Sequence, residues 1–166
     1  SSDLLSSVPV DRAARLPEAF PQADLILLSS TIGRILDAFR HLEPLVRPDA
    51  LVSDAGSTKC EIVDAANEAI KKCQFLGGHP MAGKETRGAV SADGNLFRDR
   101  TWVLTPDDPA ELETPMALEY RALLGRMGAR VVVMDCDEHD RVVARTSHLP
   151  RFASTDLAAL SSDVRH

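Results

Sequence analysis

The residues best able to do chemistry lie at 77–80, which read Gly-Gly-His-Pro. They follow a short apolar run at 73–76 that predicts a strand, and the glycines and proline predict a turn after it. His79 in such a turn can exchange a proton near neutral pH, and functional side chains often lie on loops that a rigid scaffold holds. The alternative is an ordinary glycine-rich turn that carries a surface histidine.

Other polar residues follow the two apolar runs that precede this one. Ser30 and Thr31 come directly after the run at 23–28, and Ser57 comes shortly after the run at 50–54. Continuous apolar runs are typical of parallel strands that are buried on both faces, and ligands bind outside the carboxyl ends of such strands. We therefore predict a site at this edge that contains Ser57, whereas for Thr31 we favour capping of the next helix.

The pattern of apolar residues gives the framework that must position these side chains. Apolar runs predict five strands, at 23–28, 50–54, 73–76, 101–104 and 130–134. Apolar residues at helical spacing predict helices at 32–42, 62–70, 118–127 and from 137 onward, the last kinked at Pro150. Gly128 is expected to end the third helix, and the polar residues 84–99 predict a long loop. Alternating strands and helices predict an α/β fold with a mostly parallel sheet.

Composition narrows the class of protein. The 166 residues include 44% hydrophobic residues and carry a net charge of −6, which argues against nucleic acid or an anionic membrane surface as a partner. There is no apolar run long enough to span a membrane, and the N-terminus lacks the pattern of a signal peptide. Three cysteines without CxxC spacing predict neither a disulfide framework nor a zinc site. We expect a cytoplasmic protein.

Four motifs occur in a distinctive order. They are Asp-Ala-Gly-Ser-Thr-Lys at 54–59, Gly-His-Pro-Met-Ala-Gly at 78–83, Glu-His-Asp at 138–140 and Ser-His-Leu-Pro at 147–150. In order and spacing they resemble the prephenate and arogenate dehydrogenases, the NAD(P)-dependent enzymes of tyrosine biosynthesis. The resemblance covers roughly residues 23–160. It implies oxidative decarboxylation of prephenate to 4-hydroxyphenylpyruvate, or of arogenate to tyrosine.

The resemblance also implies a domain organisation. Residues 1–136 would form a partial, Rossmann-like nucleotide-binding domain, and 137–166 would begin a helical domain through which the family dimerises. The GxGxxG turn of the family is absent, since the first glycine is Gly33. We therefore expect a Rossmann-like sheet without its N-terminal βαβ portion, weak binding of NAD or NADP by this chain, and a homodimer.

The family chemistry assigns roles around His79. By resemblance, neutral His79 accepts the hydrogen bond of the substrate hydroxyl, Ser57 orients His79 and touches that hydroxyl, and His148 faces the same cleft. The reaction rate is then expected to rise with pH through a group near the unperturbed histidine pKa of about 6.5. His148 belongs to the fourth motif, on the long helix that the pattern predicts from residue 137.

Further residues are implied in binding. Glu85 and Arg87 are candidate substrate contacts, because a guanidinium matches a carboxylate bidentately; the alternative is that both are solvated loop charges. Cofactor contacts are implied for Ser30, Thr31, Asp54 and Ser57.

Two other classes of function stay open. The chain could be a catalytically silent α/β unit that serves only folding or association, which the missing glycine turn favours. A metal-dependent hydrolase would use His79, His139 and His148, but no HxH or HxxxH pair supports it. For His139, a structural role at the start of the last helix is the alternative to a role in the site.

Overall fold

The computed structural model describes residues 19–82 and 93–145. In these ranges one sheet contains five strands, which are β1 (Leu25–Leu28), β2 (Leu51–Asp54), β3 (Gln74–Pro80), β4 (Thr101–Thr105) and β5 (Arg130–Val133). The α-helices are α1 (Ile32–Leu42), α2 (Cys60–Ala69), α3 (Pro115–Arg126) and α4 (Cys136–Val143), and short 3-10 helices lie at Phe20–Gln22 and Pro109–Glu113. The strands follow one another across the sheet in chain order.

The sheet is mostly parallel, as the sequence predicts. β1, β2 and β3 run parallel, with α1 and α2 as the crossovers between them. β4 pairs antiparallel with β3, and β5 then pairs parallel with β4 after the α3 crossover. Parallel neighbours need a crossover connection, which helices supply here. The carboxyl ends of β1, β2 and β3 therefore share one edge.

The predicted turn at residues 77–80 is wrong. β3 continues through Pro80, and His79 pairs with Val103 of β4. The two glycines are needed because the backbones approach closely. A Cβ atom on Gly78 would lie 2.6 Å from the carbonyl oxygen of Asp54, and one on Gly77 would collide with the hydroxyl of Thr105. Close contact, rather than the backbone freedom of a turn, explains this pair of glycines, and a strand holds His79.

The core lies on both faces of the sheet. Successive strand residues point to opposite faces, so Val52 of β2 joins the cluster under α1 and α2, whereas its neighbour Leu51 joins the cluster under α3. Both residues are 0% exposed. In the second cluster Trp102 packs edge-on against Tyr120. The two layers make β2 and β3 the rigid centre from which the site residues extend.

The helix ends account for several polar residues near the site. Thr31 occupies the N-cap position of α1, but its side chain makes no capping hydrogen bond, so the favoured capping role of this hydroxyl is not observed. Asp135 caps α4 by accepting a hydrogen bond from the backbone N–H of Glu138 at 2.7 Å. Gly128 follows α3 with a φ of 80°, as predicted for a residue that ends a helix.

Two of the predicted features lie wholly or mostly on residues that the structure does not describe. The kink expected at Pro150 and most of the loop expected over 84–99 lie outside the described residues. In the described part of that loop, 93–99, the backbone forms turns, and Asp99 has a φ of 59°. Within the described ranges, none of the helices has the length and apolar character needed to cross a membrane.

Candidate active site

The carboxyl ends of the three parallel strands bring the predicted site residues to one edge. Ser30 and Thr31 follow β1, Ser57 follows β2, and all three are exposed. His79 lies near the end of β3 and is partly buried. Three further candidates, Glu85, Arg87 and His148, lie outside the described residues.

A buried ion pair lies directly beneath the site residues, between the loop after β2 and strand β3. Asp54 and Lys59 are both 0% exposed, and the Lys59 ammonium donates to the Asp54 carboxylate. Asp54 also accepts from the backbone N–H of Gly56 at 2.7 Å and of Gly78 at 3.0 Å. Lys59 donates a second hydrogen bond to the Gly78 carbonyl at 2.8 Å. The pair therefore ties the loop after β2 to the strand that carries His79.

The predicted contact of Asp54 with a cofactor does not fit this geometry. A carboxylate that is fully buried and bonded to three protein donors is not available to a ligand at the surface. Burial lowers the pKa of Lys59, and the Asp54 carboxylate partly offsets that effect. We conclude that Asp54 has a structural role, in which it fixes the backbone on both sides of the site.

A chain of three side chains leads from His79 into the protein. Nδ1 of His79 lies 2.8 Å from Nε2 of His139, and Nδ1 of His139 lies 2.7 Å from a carboxylate oxygen of Asp140. His139 is only 1% exposed, and the two imidazole rings meet edge to face at 71°. Two roles for His139 were open from the sequence, one at the helix start and one in the site, and the structure places His139 in contact with His79. The adjacent aspartate in the Glu-His-Asp motif is the local signal that could have favoured the site.

Asp140 is itself fixed by the first turn of α2. Its carboxylate accepts from the backbone N–H groups of Lys59 at 2.8 Å and Cys60 at 3.1 Å. These donors belong to a helix N-terminus, where a negative charge is favourable. Burial raises the pKa of Asp140, but the hydrogen bonds from Cys60 and from His139 outweigh it, so the pKa is lowered overall. Asp140 is therefore a carboxylate at neutral pH.

The surroundings of His79 keep its imidazole neutral. Burial lowers the pKa of His79 most, and His139 and the Lys59 ammonium lower it further, while Asp140 acts in the opposite direction; the result is a pKa of about 4. The expected titration near the ordinary histidine value is thus displaced downward. At neutral pH the ring has one lone pair that can accept a hydrogen bond.

Ser57 does not orient His79 in this structure. Ser57 is exposed, and the nitrogen of His79 that the protein holds is bonded to His139. Within residues 19–82 and 93–145, no hydrogen bond joins Ser57 to His79. The hydrogen-bond partner of His79 is His139, a contact across 60 residues of sequence that no local pattern predicts.

Small polar groups at the same edge fit a nucleotide cofactor. The hydroxyl of Thr31 is not used for capping, and the buried hydroxyl of Thr58 has no partner among the described residues. The exposed hydroxyl side chains of Ser30, Thr31 and Ser57, at the ends of β1 and β2, suit a ligand that lies along the edge of the sheet. By contrast, the described ranges hold no group of three histidine, cysteine, aspartate or glutamate residues that could bind a metal ion.

The fold and the strand-end site define the class as a Rossmann-like nucleotide-binding domain. The family model described as the prephenate dehydrogenase nucleotide-binding domain matches residues 8–133, which is most of the chain. The chain belongs to the prephenate dehydrogenase family.

Individual relatives agree with this family. The prephenate dehydrogenase of Lactococcus lactis is 35% identical over 157 residues, covering 93% of this chain and 42% of that protein. The solved arogenate dehydrogenase of Synechocystis has a TM-score of 0.83 at 31% identity, over 97% of this chain and 56% of that one. The Aquifex aeolicus prephenate dehydrogenase, solved with hydroxyphenyl propionate and NAD+, has a TM-score of 0.82 at 25% identity, over 99% and 57%. The chain spans about half the length of the curated relatives it matches.

Proposed function

We propose that this chain carries the nucleotide-binding domain and the catalytic histidine of a dehydrogenase that oxidatively decarboxylates prephenate or arogenate. The observation that carries the proposal is the placement of His79 at the carboxyl ends of the parallel strands. There Nδ1 of His79 lies 2.8 Å from Nε2 of His139, and burial lowers the pKa of His79 to about 4, which keeps the imidazole neutral. Family membership supports the reaction class, and the geometry of His79 supports its role in that reaction.

The proposed chemistry needs a hydrogen-bond acceptor at one atom. The substrate is a cyclohexadienol whose hydroxyl carbon loses a hydride while the opposite ring carboxylate leaves as carbon dioxide. NAD or NADP, when bound, supplies the hydride acceptor. As the hydride leaves, the hydroxyl becomes acidic, and Nε2 of neutral His79 accepts its proton. A histidine that is protonated before substrate binds has no lone pair for this step.

The cofactor contacts that we propose are Ser30, Thr31 and Ser57, at the ends of β1 and β2. Their exposure and the unused hydroxyl of Thr31 support this assignment. Ser57 is proposed to contact the substrate hydroxyl or the nicotinamide rather than to orient His79. Asp54 contributes indirectly. Its carboxylate accepts hydrogen bonds from the backbone N–H groups of Gly56, next to Ser57, and Gly78, next to His79, and so holds the backbone beside these two residues.

Substrate binding is proposed to involve residues beyond the described ranges. Glu85, Arg87 and His148 are the proposed substrate contacts, with the guanidinium of Arg87 pairing with a substrate carboxylate. We also propose that residues 1–136 belong to the nucleotide-binding domain and 137–166 to a helical domain that forms a homodimer. Light scattering of the full-length protein is expected to give the mass of two chains, and the mass of one chain would contradict this part of the proposal.

The proposed function is tested by turnover. The full-length protein is incubated with prephenate or arogenate and with NAD+ or NADP+, while nicotinamide absorbance and product are followed. We expect cofactor reduction together with 4-hydroxyphenylpyruvate or tyrosine, each matched to the substrate supplied. A folded protein that reduces neither cofactor with either substrate would contradict the proposed function. His41, exposed on α1, gives a control variant, His41→Asn, that should keep the wild-type rate.

A further inference from the structure

We propose that His139 is a positioning residue that fixes the tautomer of His79, with the proton on Nδ1 and the lone pair on Nε2. The observation is the chain of hydrogen bonds from His79 through His139 to Asp140. The effect on turnover rests on the proposed function. The proton arrangement is a property of the protein alone and is measured without substrate.

Asp140 is the fixed end of this chain of hydrogen bonds. Its carboxylate is held by the backbone N–H groups of Lys59 and Cys60, and an ionised carboxylate only accepts hydrogen bonds. Nδ1 of His139, 2.7 Å away, must therefore carry a proton and donate it. The proton position on His139 follows from its partner.

The hydrogen bond between His139 and His79 then determines the proton position on His79. Because the ring proton of His139 is on Nδ1, Nε2 has the lone pair and is an acceptor. Nδ1 of His79, 2.8 Å away, must then donate, which leaves Nε2 of His79 without a proton. Histidine in water prefers the opposite tautomer, with the proton on Nε2. The buried His139, at 1% exposure, thus reverses the ordinary preference of the ring.

The same hydrogen bonds also stabilise His79 after it has accepted the proton of the substrate hydroxyl. The substrate O–H bond breaks, its electron pair stays on the oxygen, and a new N–H bond forms at Nε2 of His79. The resulting imidazolium donates from Nδ1 to His139, and the Asp140 carboxylate lies beyond it. The charged and titratable groups that face His79 among the described residues are His139 and Asp140 from α4 and Lys59 from the loop after β2. Asp140 stabilises the new positive charge, whereas the Lys59 ammonium opposes it.

The direct test is nitrogen NMR of the full-length protein with isotope-labelled histidine, at neutral pH and without substrate. The signals of His79 are assigned by their loss in His79→Asn. We expect a protonated Nδ1 and an unprotonated Nε2 for both His79 and His139. A His79 ring with its proton on Nε2 would overturn the inference, whatever the protein does in a turnover assay.

Two substitutions at His139 separate positioning from folding. His139→Phe keeps a ring but removes the acceptor, so His79 should revert to the Nε2–H tautomer and kcat should fall about 10–100-fold with little change in KM. His139→Gln places an amide oxygen near the lost Nε2, and should restore both the Nδ1–H tautomer and much of the rate. His41→Phe is the matched control on an exposed helix face.

The outcomes remain distinct if one arm fails. A His139→Phe protein with the wild-type tautomer and rate would overturn the positioning role. If that variant does not fold, His139→Gln and the wild-type spectrum decide the question. Absence of turnover by the wild type would count against the proposed function, while the tautomer measured by NMR would still decide this inference.

Discussion

His79 shows how one residue obtains its chemistry from its neighbours. Alone it is a histidine with an ordinary pKa of about 6.5. In the fold it is partly buried, bonded to a second histidine and close to a lysine ammonium, and its pKa falls to about 4. One of these neighbours, His139, also determines which nitrogen of His79 carries the proton.

The lowered pKa predicts the pH dependence of the reaction. Under the proposed function neutral His79 is the active form, so kcat/KM, which reports the free enzyme, should be lost as pH falls through about 4. Activity should therefore persist well below the ordinary histidine value. A pH–rate profile measured over the acid range checks this, with circular dichroism at each pH as the control for unfolding. An acid limb centred near the ordinary value would contradict the described surroundings of His79.

The Asp54–Lys59 pair allows a prediction about stability. Lys59→Met leaves the Asp54 carboxylate fully buried without its counter-charge, which should lower the free energy of unfolding by about 3–5 kcal/mol. Lys72→Met is the matched control, because Lys72 is exposed and its side chain should contribute little. Urea unfolding of both variants measures the difference. Equal midpoints for the two variants would show that the buried pair does not stabilise the fold.

At the scale of elements, β3 connects the core to the site. The strand pairs with β2 through residues 74–76 and with β4 through residues 77–80, so the core-facing first half of β3 leads directly to His79, whose backbone pairs with Val103 of β4. Helix α4 is tied to the start of α2 by the Asp140 carboxylate. Helix α4 is thus joined, around one imidazole, to two consecutive elements, α2 and β3, that lie 60 to 80 residues earlier in the chain.

The close approach at Gly78 predicts a sharp steric effect. Gly78→Ala puts a methyl group 2.6 Å from the Asp54 carbonyl oxygen and 3.1 Å from the Ser53 hydroxyl, where backbone must move. We expect destabilisation of about 1–3 kcal/mol by overpacking, measured by chemical denaturation.

Gly125 provides the contrasting control for this test. A Cβ atom at Gly125, in α3, meets nothing within 4 Å, so Gly125→Ala should be neutral or slightly stabilising because alanine favours a helix. A Gly78→Ala protein as stable as Gly125→Ala would contradict the packing that we describe.

The elements differ in how far the sequence predicts them. Each of the five described strands coincides with a predicted apolar run, and Gly128 ends α3 as expected, because these features depend on neighbouring residues. The extent of β3 was not predicted, since a glycine pair indicates a turn unless the opposing backbone is known. The link from His79 to His139 depends on tertiary packing over 60 residues of sequence, and no local pattern predicts it.

In the whole molecule, the candidate site is formed by residues that follow or lie on different strands of one sheet. Parallel pairing of β1, β2 and β3 brings hydroxyl side chains and His79 to one edge, while helices on both faces bury the sheet. The family model covers 126 of the 166 residues, from 8 to 133, and it ends just before the helix that carries His139 and Asp140. Helix α4 therefore supplies, from beyond the region that the family model covers, the hydrogen-bond partner of His79.

Steady-state turnover of His79→Asn in the full-length protein measures whether neutral His79 accepts the proton of the substrate hydroxyl. Asparagine at this position loses the imidazole lone pair, so kcat should fall by about 10²–10⁴-fold while substrate affinity changes much less. Thermal melting of the variant must match the wild type for the comparison to count. A His79→Asn protein that melts normally and turns over prephenate or arogenate at nearly the wild-type rate would contradict the account.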